Sequence, residues 1–252
     1  YFQNCLLGVC EPASLLGYNV LITTSNVHDI SELQSLVESN RVDGMLLTRA
    51  LEDDRALQYL SQVNFPTALT GTCRYDNIIQ VDTDNEGAAE KMTTLLIGKG
   101  FRRFAFLVKD MSYNVDRKRH EGFCRALIKN GISEKDQLFY NGSIRMEFLD
   151  AIIENIISKK VECIICGDDE ICTMVMSRLQ AEGYRIPKDV AIASLYNSTN
   201  LDCYSPAVTA VSVAASQMGG TAVRQLIQRL RGENYEKKTM LDYDILFRKS
   251  TN

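Results

Sequence analysis

Short apolar runs alternate with longer segments of helical periodicity along this chain of 252 residues. Most of the runs are continuously apolar, which is typical of strands that are buried on both faces of a parallel sheet. The runs predict strands at Cys5–Val9, Val20–Thr24, Gly44–Leu47, Thr67–Thr70, Ile78–Asp82, Arg103–Val108, Cys163–Cys166 and Ala191–Leu195.

The segments between these runs repeat apolar residues every three or four positions, as one face of a helix does. They predict helices at Ile30–Val37, Leu57–Val63, Asn85–Lys99, Asp116–Asn130, Arg145–Ser158, Asp168–Glu182 and Ala215–Arg231. Strands that alternate with helices indicate βαβ units. The predicted fold class is therefore α/β with parallel sheets.

One interval breaks this alternation. Between Val9 and Val20 too few residues remain for a parallel crossover, which needs about a dozen or more. Ala13–Tyr18 has the pattern of the last turns of a helix only, and Glu11-Pro12 has that of a loop. We therefore expect skipped residues and a break in the backbone near Glu11–Ala13. Tyr1-Phe2-Gln3 resembles the remnant of an expression tag and is left out of fold prediction.

Composition excludes several classes of protein. With 45% hydrophobic residues the chain is too apolar to be disordered, and its apolar runs are too short to span a membrane. The net charge is −4, from 28 basic and 32 acidic residues, whereas a stand-alone nucleic-acid-binding domain usually has a strong basic excess. We do not expect this chain to bind DNA by itself.

Eight cysteines are present, mostly within apolar runs, where a free cysteine acts as a small buried hydrophobe. Cys163-Ile-Ile-Cys166 has the spacing of a redox or zinc motif. No second such motif follows, and the histidines are His28 and His120 only. We expect two buried cysteines on a strand, no metal or other cofactor, and a reducing, cytoplasmic location.

Nucleotide-binding and hydrolase signatures are absent from the sequence, so no enzyme is predicted. Asp168-Asp169-Glu170 follows the strand Cys163–Cys166, at the end of the strand where open α/β sheets bind ligands. In the alternative interpretation, Asp168 only caps its helix and pairs with Arg119. A hard-metal site would need a second carboxylate cluster. Arg119 suits polar ligands through its planar fork, or it is a solvated charge beside Arg117 and Lys118.

Several segments together carry a family resemblance. Residues 81–88 (V-D-T-D-N-E-G-A), 95–103 (L-L-I-G-K-G-F-R-R) and 119–127 (R-H-E-G-F-C-R-A-L) resemble motifs of the lactose-repressor (LacI/GalR) family. Residues 41–47 (R-V-D-G-M-L-L) are similar to another family motif. Further matches follow in family order at 166–170, 183–190, 205–211 and 218–219. The resemblance runs from about residue 5 to residue 250.

This resemblance implies the effector-binding core of a transcriptional regulator with a type I periplasmic-binding-protein-like fold. Two Rossmann-like lobes, joined by three crossover strands, would enclose a cleft for a small polar, sugar-like effector. The first lobe would comprise 4–80 and 212–240, and the second 81–211 and 241–252. The family usually dimerises and binds operator DNA through a helix-turn-helix module, which this chain does not include.

The resemblance also implies the effector-binding residues. Arg119 is the arginine of the family's R-x-x-G-F motif, and Asp168 stands where the family has an asparagine. Tyr196 replaces an aspartate of many sugar-binding members, and Asn197 follows it. Tyr196 lacks the twin acceptor oxygens that hold adjacent sugar hydroxyls, which disfavours a plain hexose, but its ring could stack on a ligand. Gln80, on the strand that enters the second lobe, would line another wall.

Two other classes of function remain open at this point. Secreted or periplasmic small-solute-binding proteins share the two-lobed architecture, and fold does not fix function. The cysteines and the regulator-type motifs favour a regulator, and the upstream gene sequence would discriminate, since a transport receptor has a signal peptide. An enzyme comes third, because no set of catalytic residues can be assembled.

Overall fold

The computed structural model describes residues 1–24, 29–142 and 146–252, without the side chains of residues 146 and 147. His28 and Arg145, the first residue of a predicted helix, lie outside the described residues. The chain forms two compact units. The first comprises 1–83, 112–115 and 214–242, and the second comprises 84–111, 116–213 and 243–252.

Helices and strands alternate along most of the described chain. The helices are α1 (Phe2–Leu15), α2 (Ser31–Glu38), α3 (Arg55–Gln62), α4 (Asn85–Gly98), α5 (Asn114–Lys129), α6 (Met146–Ser158), α7 (Asp169–Ala181), α8 (Thr199–Cys203) and α9 (Ala215–Leu230). The strands are β1 (Met45–Leu47), β2 (Thr67–Thr70), β3 (Ile79–Thr83), β4 (Phe104–Val108), β5 (Leu138–Asn141), β6 (Cys163–Cys166), β7 (Ala191–Ser194), β8 (Thr209–Val213), β9 (Lys238–Leu241) and β10 (Tyr243–Leu246).

A four-stranded parallel sheet in the order β1-β2-β3-β9 forms the centre of the first unit. Helices α1 and α9 pack against each other, and glycines let their backbones approach closely. A Cβ atom at Gly8 would clash with the carbonyl oxygen of Ser216, and one at Gly219 with that of Cys5. Only glycine allows this contact without displacing a helix.

A six-stranded sheet in the order β10-β8-β7-β6-β4-β5 forms the second unit. All its pairs are parallel except β10–β8, which is antiparallel. The strands β4, β6 and β7 are buried along their whole length, with apolar clusters on both faces. The predicted α/β class with parallel sheets is therefore confirmed, with one antiparallel edge strand added.

The sequence-based account of the first residues was wrong. Cys5–Val9 lies inside helix α1, and the backbone continues through Glu11–Ala13 without a break. Pro12 lies within this helix rather than in a loop. Tyr1 lies directly before α1, and its hydroxyl group is 2.9 Å from the sulfur of Met218, so residues 1–3 belong to the fold.

Two further differences concern strands. Val20–Thr24 is not part of a sheet, because no described strand lies beside it. Conversely, the apolar runs did not predict the strands β5, β8, β9 and β10. Three of them, β5, β9 and β10, are half exposed, so they lack the continuous apolar run of a central strand. None of the described helices is long and apolar enough to cross a membrane.

Candidate functional site

Polar and charged side chains gather where β4, β6 and β7 end in the second unit. Lys109 follows β4, Gly167 and Asp168 follow β6, and Tyr196 and Asn197 lie just beyond β7. Because these strands are parallel neighbours, their carboxyl ends meet at one edge of the sheet. This is the edge at which open α/β sheets bind ligands.

Arg119 is the most buried cation at this edge, with 8% of its surface exposed. Its Nε donates to Asn85 Oδ1 at 3.1 Å, and its Nη1 donates to the carbonyl oxygen of Gly167 at 2.6 Å. The guanidinium thus links the first residue of α4 to the loop after β6. Glycine fits closely at position 167, because a Cβ atom there would lie 2.9 Å from the side chain of Val108 and force a shift.

Asp168 has two structural roles in the described chain. Its Oδ1 accepts a hydrogen bond from the backbone N–H of Ile171 at 2.9 Å, which caps the N-terminus of α7. Its Oδ2 lies 2.8 Å from Nζ of Lys109, which also pairs with Glu170. The capping role considered from the sequence is therefore present, and Lys109 is the cation paired with Asp168.

The electrostatics of Lys109 follow from these two carboxylates. Burial acts to lower its pKa, but the hydrogen bonds and charges of Asp168 and Glu170 outweigh burial and raise the pKa above its ordinary value. Lys109 therefore stays charged at neutral pH. Among the described residues, no group of His, Cys, Asp and Glu side chains is arranged to hold a metal ion.

Asp116 was missed by the sequence analysis. It lies on α5, one turn before Arg119, and is 7% exposed. Burial raises the pKa of its carboxyl group, and the negative charge of Asp168 adds to this shift. The hydrogen bond from the N–H of Asp110 and the positive charges of Arg119 and Lys109 oppose it. The i, i+3 spacing from Arg119 was the available signal, because such residues share one helix face. We call Lys109, Asp116, Arg119, Asp168 and Glu170 the carboxyl-end cluster.

The other predicted residues occupy different surroundings. Tyr196 is 3% exposed, so a stacking ligand would have to uncover its ring. Asn197 Oδ1 accepts a hydrogen bond from Arg248 Nη1 at 2.9 Å. Both residues stay predictions as effector contacts.

Gln80 lies on β3 in the first unit and is buried. Its Oε1 accepts from the N–H of Cys73 at 3.0 Å, and its Nε2 donates to the carbonyl oxygen of Tyr75 at 3.0 Å. The side chain therefore holds the loop that follows β2. An additional contact of Gln80 with an effector stays a prediction.

Cys163 and Cys166 lie on β6 and are fully buried, as the sequence predicted. Burial raises the pKa of both thiols above the ordinary value. Protonated, buried thiols are poor nucleophiles and poor metal ligands. These two cysteines therefore act as packing residues.

Comparison with known families identifies the fold. The model of the periplasmic binding protein-like domain matches residues 93–251. The chain belongs to that family. The matched region contains the sheet edge at which the carboxyl-end cluster lies.

The relatives of this periplasmic binding protein-like chain are transcriptional regulators by name. The HTH-type transcriptional regulator CelR of Thermobifida fusca is 26% identical over 99% of this chain, which spans 76% of the length of CelR. A CelR–cellobiose complex superposes with a TM-score of 0.87 at 26% identity, covering 99% of this chain and 78% of that one. A Bacillus cereus subsp. cytotoxis protein assigned as a LacI regulator superposes with a TM-score of 0.91 at 28% identity. The superposition covers 99% of this chain and 91% of that one.

These similarities confirm the predicted resemblance to lactose-repressor-type regulators. They also confirm the assignment of this chain to the effector-binding core of such a regulator. The relatives are named as regulators and not as enzymes.

Proposed function

We propose that a neutral, sugar-like effector binds at the carboxyl-end cluster and thereby controls the affinity of the intact protein for operator DNA. The observation that carries this proposal is the buried guanidinium of Arg119, fixed by Asn85 and Gly167 at the ligand-binding edge of the sheet. A cation held in this way is preorganised, so a ligand does not have to order it.

The chemistry of the cluster supports a hydroxyl-rich ligand. Arg119 supplies donors, and the carboxylates of Asp168 and Asp116 supply acceptors, whereas a sugar hydroxyl both donates and accepts. The similar CelR chain has been found in complex with cellobiose. Carboxylates outnumber cations in the cluster, three to two, which disfavours an anionic ligand such as a sugar phosphate.

Control of DNA binding requires two states of the protein. An effector shifts the balance between them only through its different affinity for each state. A coupling free energy of about 1–3 kcal/mol would change operator affinity by roughly 5- to 150-fold. DNA contact would be made by a helix-turn-helix segment outside this chain.

Assembly and location belong to the same proposal. The intact protein would act as a homodimer in the cytoplasm, because a two-fold operator matches a two-fold protein. A monomeric solution mass for the intact protein at micromolar concentration would contradict this part of the proposal.

A thermal-shift screen tests the effector site. Neutral sugars, sugar phosphates, polyols and nucleobases are added to the chain, and the melting temperature is measured. A ligand present at 100 times its dissociation constant stabilises the folded state by roughly 2.7 kcal/mol. We expect a neutral sugar or polyol to stabilise the chain and the sugar phosphates to have less effect.

Variants of Arg119 show whether the bound ligand uses the carboxyl-end cluster. Arg119→Ala and Arg119→Lys should each weaken binding of the best ligand by tenfold or more, about 1.4 kcal/mol. Arg103→Ala is the matched control, because Nε of Arg103 also donates to a backbone carbonyl oxygen, that of Lys160, but at the amino end of β4. Equal affinity of all three variants for the ligand would overturn the assignment of the site.

A further inference from the structure

A groove lies at the amino ends of β4, β6 and β7 in the second unit, away from the edge that holds the carboxyl-end cluster. It is formed by the segments that lead from α4 to β4, from α6 to β6 and from α7 to β7, and its volume is about 860 Å³. Sites for small molecules usually have volumes of about 300–1,000 Å³. This amino-end groove is therefore large enough for a small organic molecule, and the effector proposed above does not involve it.

Part of the lining of the groove is apolar. The residues that contribute it are Phe101, Ile157, Val161, Tyr184 and Pro187. Phe101 and Tyr184 are only half-buried, so their rings keep some accessible surface. An aromatic ring of this kind packs well against another ring. The lining therefore favours a ligand with a ring-containing, apolar body.

The carboxylates that line the groove are already used by the fold. Glu162 accepts hydrogen bonds from the backbone N–H groups of Arg102 at 2.6 Å and Arg103 at 3.1 Å, and it pairs with the guanidinium of Arg103. Asp189 accepts from the backbone N–H of Arg185 at 2.7 Å and also pairs with its guanidinium. Neither carboxylate is an open acceptor for a cation or a hydroxyl group.

The lining cations differ in how they are used. Nζ of Lys99 lies 5.0 Å from the ring centroid of Phe247, and Arg103 has the ion pair just described. By contrast, Lys160 and Lys188 form no ion pair with any residue that the structure describes. Two positive charges at the groove are thus left without a salt-bridge partner, in a chain whose net charge is −4.

The backbone of Lys160 is in an unusual conformation for a lysine. Its φ is 55°, in the left-handed region, two residues after the end of α6. At the same position after α4, α5 and α7 the chain has Gly100, Gly131 and Gly183, which adopt positive φ without strain. The carbonyl oxygen of Lys160 is held by Nε of Arg103 at 2.7 Å. Strained residues that are fixed in this way occur often at binding sites.

We propose that the amino-end groove binds a small organic anion, a ring-containing phosphate or carboxylate. The ammonium groups of Lys160 and Lys188 bind the negative group, and the ring packs on Tyr184. Charge-assisted hydrogen bonds from lysine suit both kinds of anion. The competing explanation is that the lysines only offset the negative ends of the helices that finish here, which cations near a helix C-terminus also do.

Phenyl phosphate is a probe that combines the two required features. Its dissociation constant from the 252-residue chain is measured by ligand-observed NMR, beside those of inorganic phosphate and phenol. We expect phenyl phosphate to bind more tightly than either, because each of the others has only one of the two features. No binding of phenyl phosphate at millimolar concentration, or equal affinity for inorganic phosphate, would overturn the proposal.

Variants of the two lysines locate the probe. Lys160→Gly and Lys188→Ala should each weaken binding of phenyl phosphate by about three- to fivefold, as expected for one partly exposed charge contact. Lys160→Gly should not lower the melting temperature, because glycine adopts positive φ readily, so misfolding cannot explain its loss of affinity. Lys159→Ala is the matched control, since this neighbouring lysine does not line the groove.

Arg119→Ala separates this site from the effector site. If phenyl phosphate bound at the carboxyl-end cluster, Arg119→Ala would weaken its binding and Lys160→Gly would not, which would overturn the proposal. Equal affinity for the probe in Lys160→Gly, Lys188→Ala and Lys159→Ala would also overturn it, in favour of lysines that only offset helix ends. The neutral ligand of the thermal-shift screen should bind Lys160→Gly as it binds the parent chain.

Discussion

Asp116 and Asp189 are two carboxyl groups whose surroundings shift their pKa values in opposite directions. Burial raises the pKa of Asp116 above its ordinary value of 3.8, although nearby donors and cations oppose the shift. Asp189 is exposed, and its hydrogen bonds from Arg185 lower its pKa to about 2. The two groups should therefore contribute to stability with opposite dependence on pH.

We predict that Asp116→Asn stabilises the chain at neutral pH. A raised pKa means that the folded state binds the proton more tightly than the unfolded state, so Asp116 costs stability as the pH rises above 3.8. The amide removes that cost, and the gain in melting temperature should disappear below pH 3.8. Melting curves across this pH range measure the difference.

Asp189→Asn is the control, because its effect on stability at neutral pH should have the opposite sign. The lowered pKa of Asp189 contributes stability above pH 3.8 that is lost as the pH falls through about 2. This variant should therefore lose stability at neutral pH. If Asp116→Asn were destabilised at neutral pH as well, the interactions of Asp116 with its donors would outweigh its burial, contrary to this account.

We predict that Asp168→Asn keeps the helix cap of α7 but removes the negative charge of residue 168 from the candidate site. Asparagine caps helices about as well as aspartate, so α7 should keep its cap, and the half-exposed ion pair with Lys109 is worth little, about 0–1 kcal/mol. Stability should change little. Effector affinity should change, because the acceptor-only carboxylate becomes an amide.

Calorimetric titration with the best ligand from the screen measures this change in affinity. Asp54→Asn is the matched control, because Asp54 caps α3 in the first unit through a 3.0 Å hydrogen bond from Leu57 N–H. Unchanged ligand affinity in Asp168→Asn would leave Asp168 with its two structural roles alone, the helix cap and the ion pair with Lys109.

The sequence indicated part of this cluster. Arg119 and Asp168 were found from the family-like motifs and from the position of Asp168 after a strand. Lys109 was not, because its importance depends on a partner that is distant in sequence, Asp168. Asp116 was not, because its burial is a property of the folded chain, although its spacing from Arg119 was visible. Gln80 and Asn197 use side-chain atoms in hydrogen bonds to other residues of the fold, and only the three-dimensional structure reveals these bonds.

At the scale of elements, the packing of α1 against α9 depends on glycine. We predict that Gly219→Ala destabilises the chain by about 1–3 kcal/mol, because its Cβ atom would meet the backbone of Cys5 and force the helices apart. Urea unfolding measures the loss.

Gly98→Ala is the matched control for this prediction. Gly98 is the last residue of α4, and apart from its chain neighbours and the backbone of its own helix no described atom would lie within 4 Å of its Cβ atom. This variant should lose no stability, since alanine favours the helix over glycine. If Gly219→Ala were as stable as the parent chain, α1 and α9 would not approach each other as closely as described here.

The elements that the sequence predicted well are the central ones. Strands such as β2, β4 and β6 are buried throughout, so their continuous apolar runs identify them. Cys5–Val9 shows the limit of this signal, because a short apolar run fits a strand or a buried helix equally. Here packing against α9 decided the outcome, and it is invisible in a local pattern.

At the scale of the whole molecule, the central claim is that a small ligand bound by this chain controls DNA binding. The most direct test is the affinity of the intact gene product for its operator, measured by fluorescence anisotropy with and without the ligand found in the screen. The account predicts a change of roughly 5- to 150-fold, which Arg119→Ala abolishes and Arg103→Ala preserves. Operator affinity that is the same with and without bound ligand would contradict it.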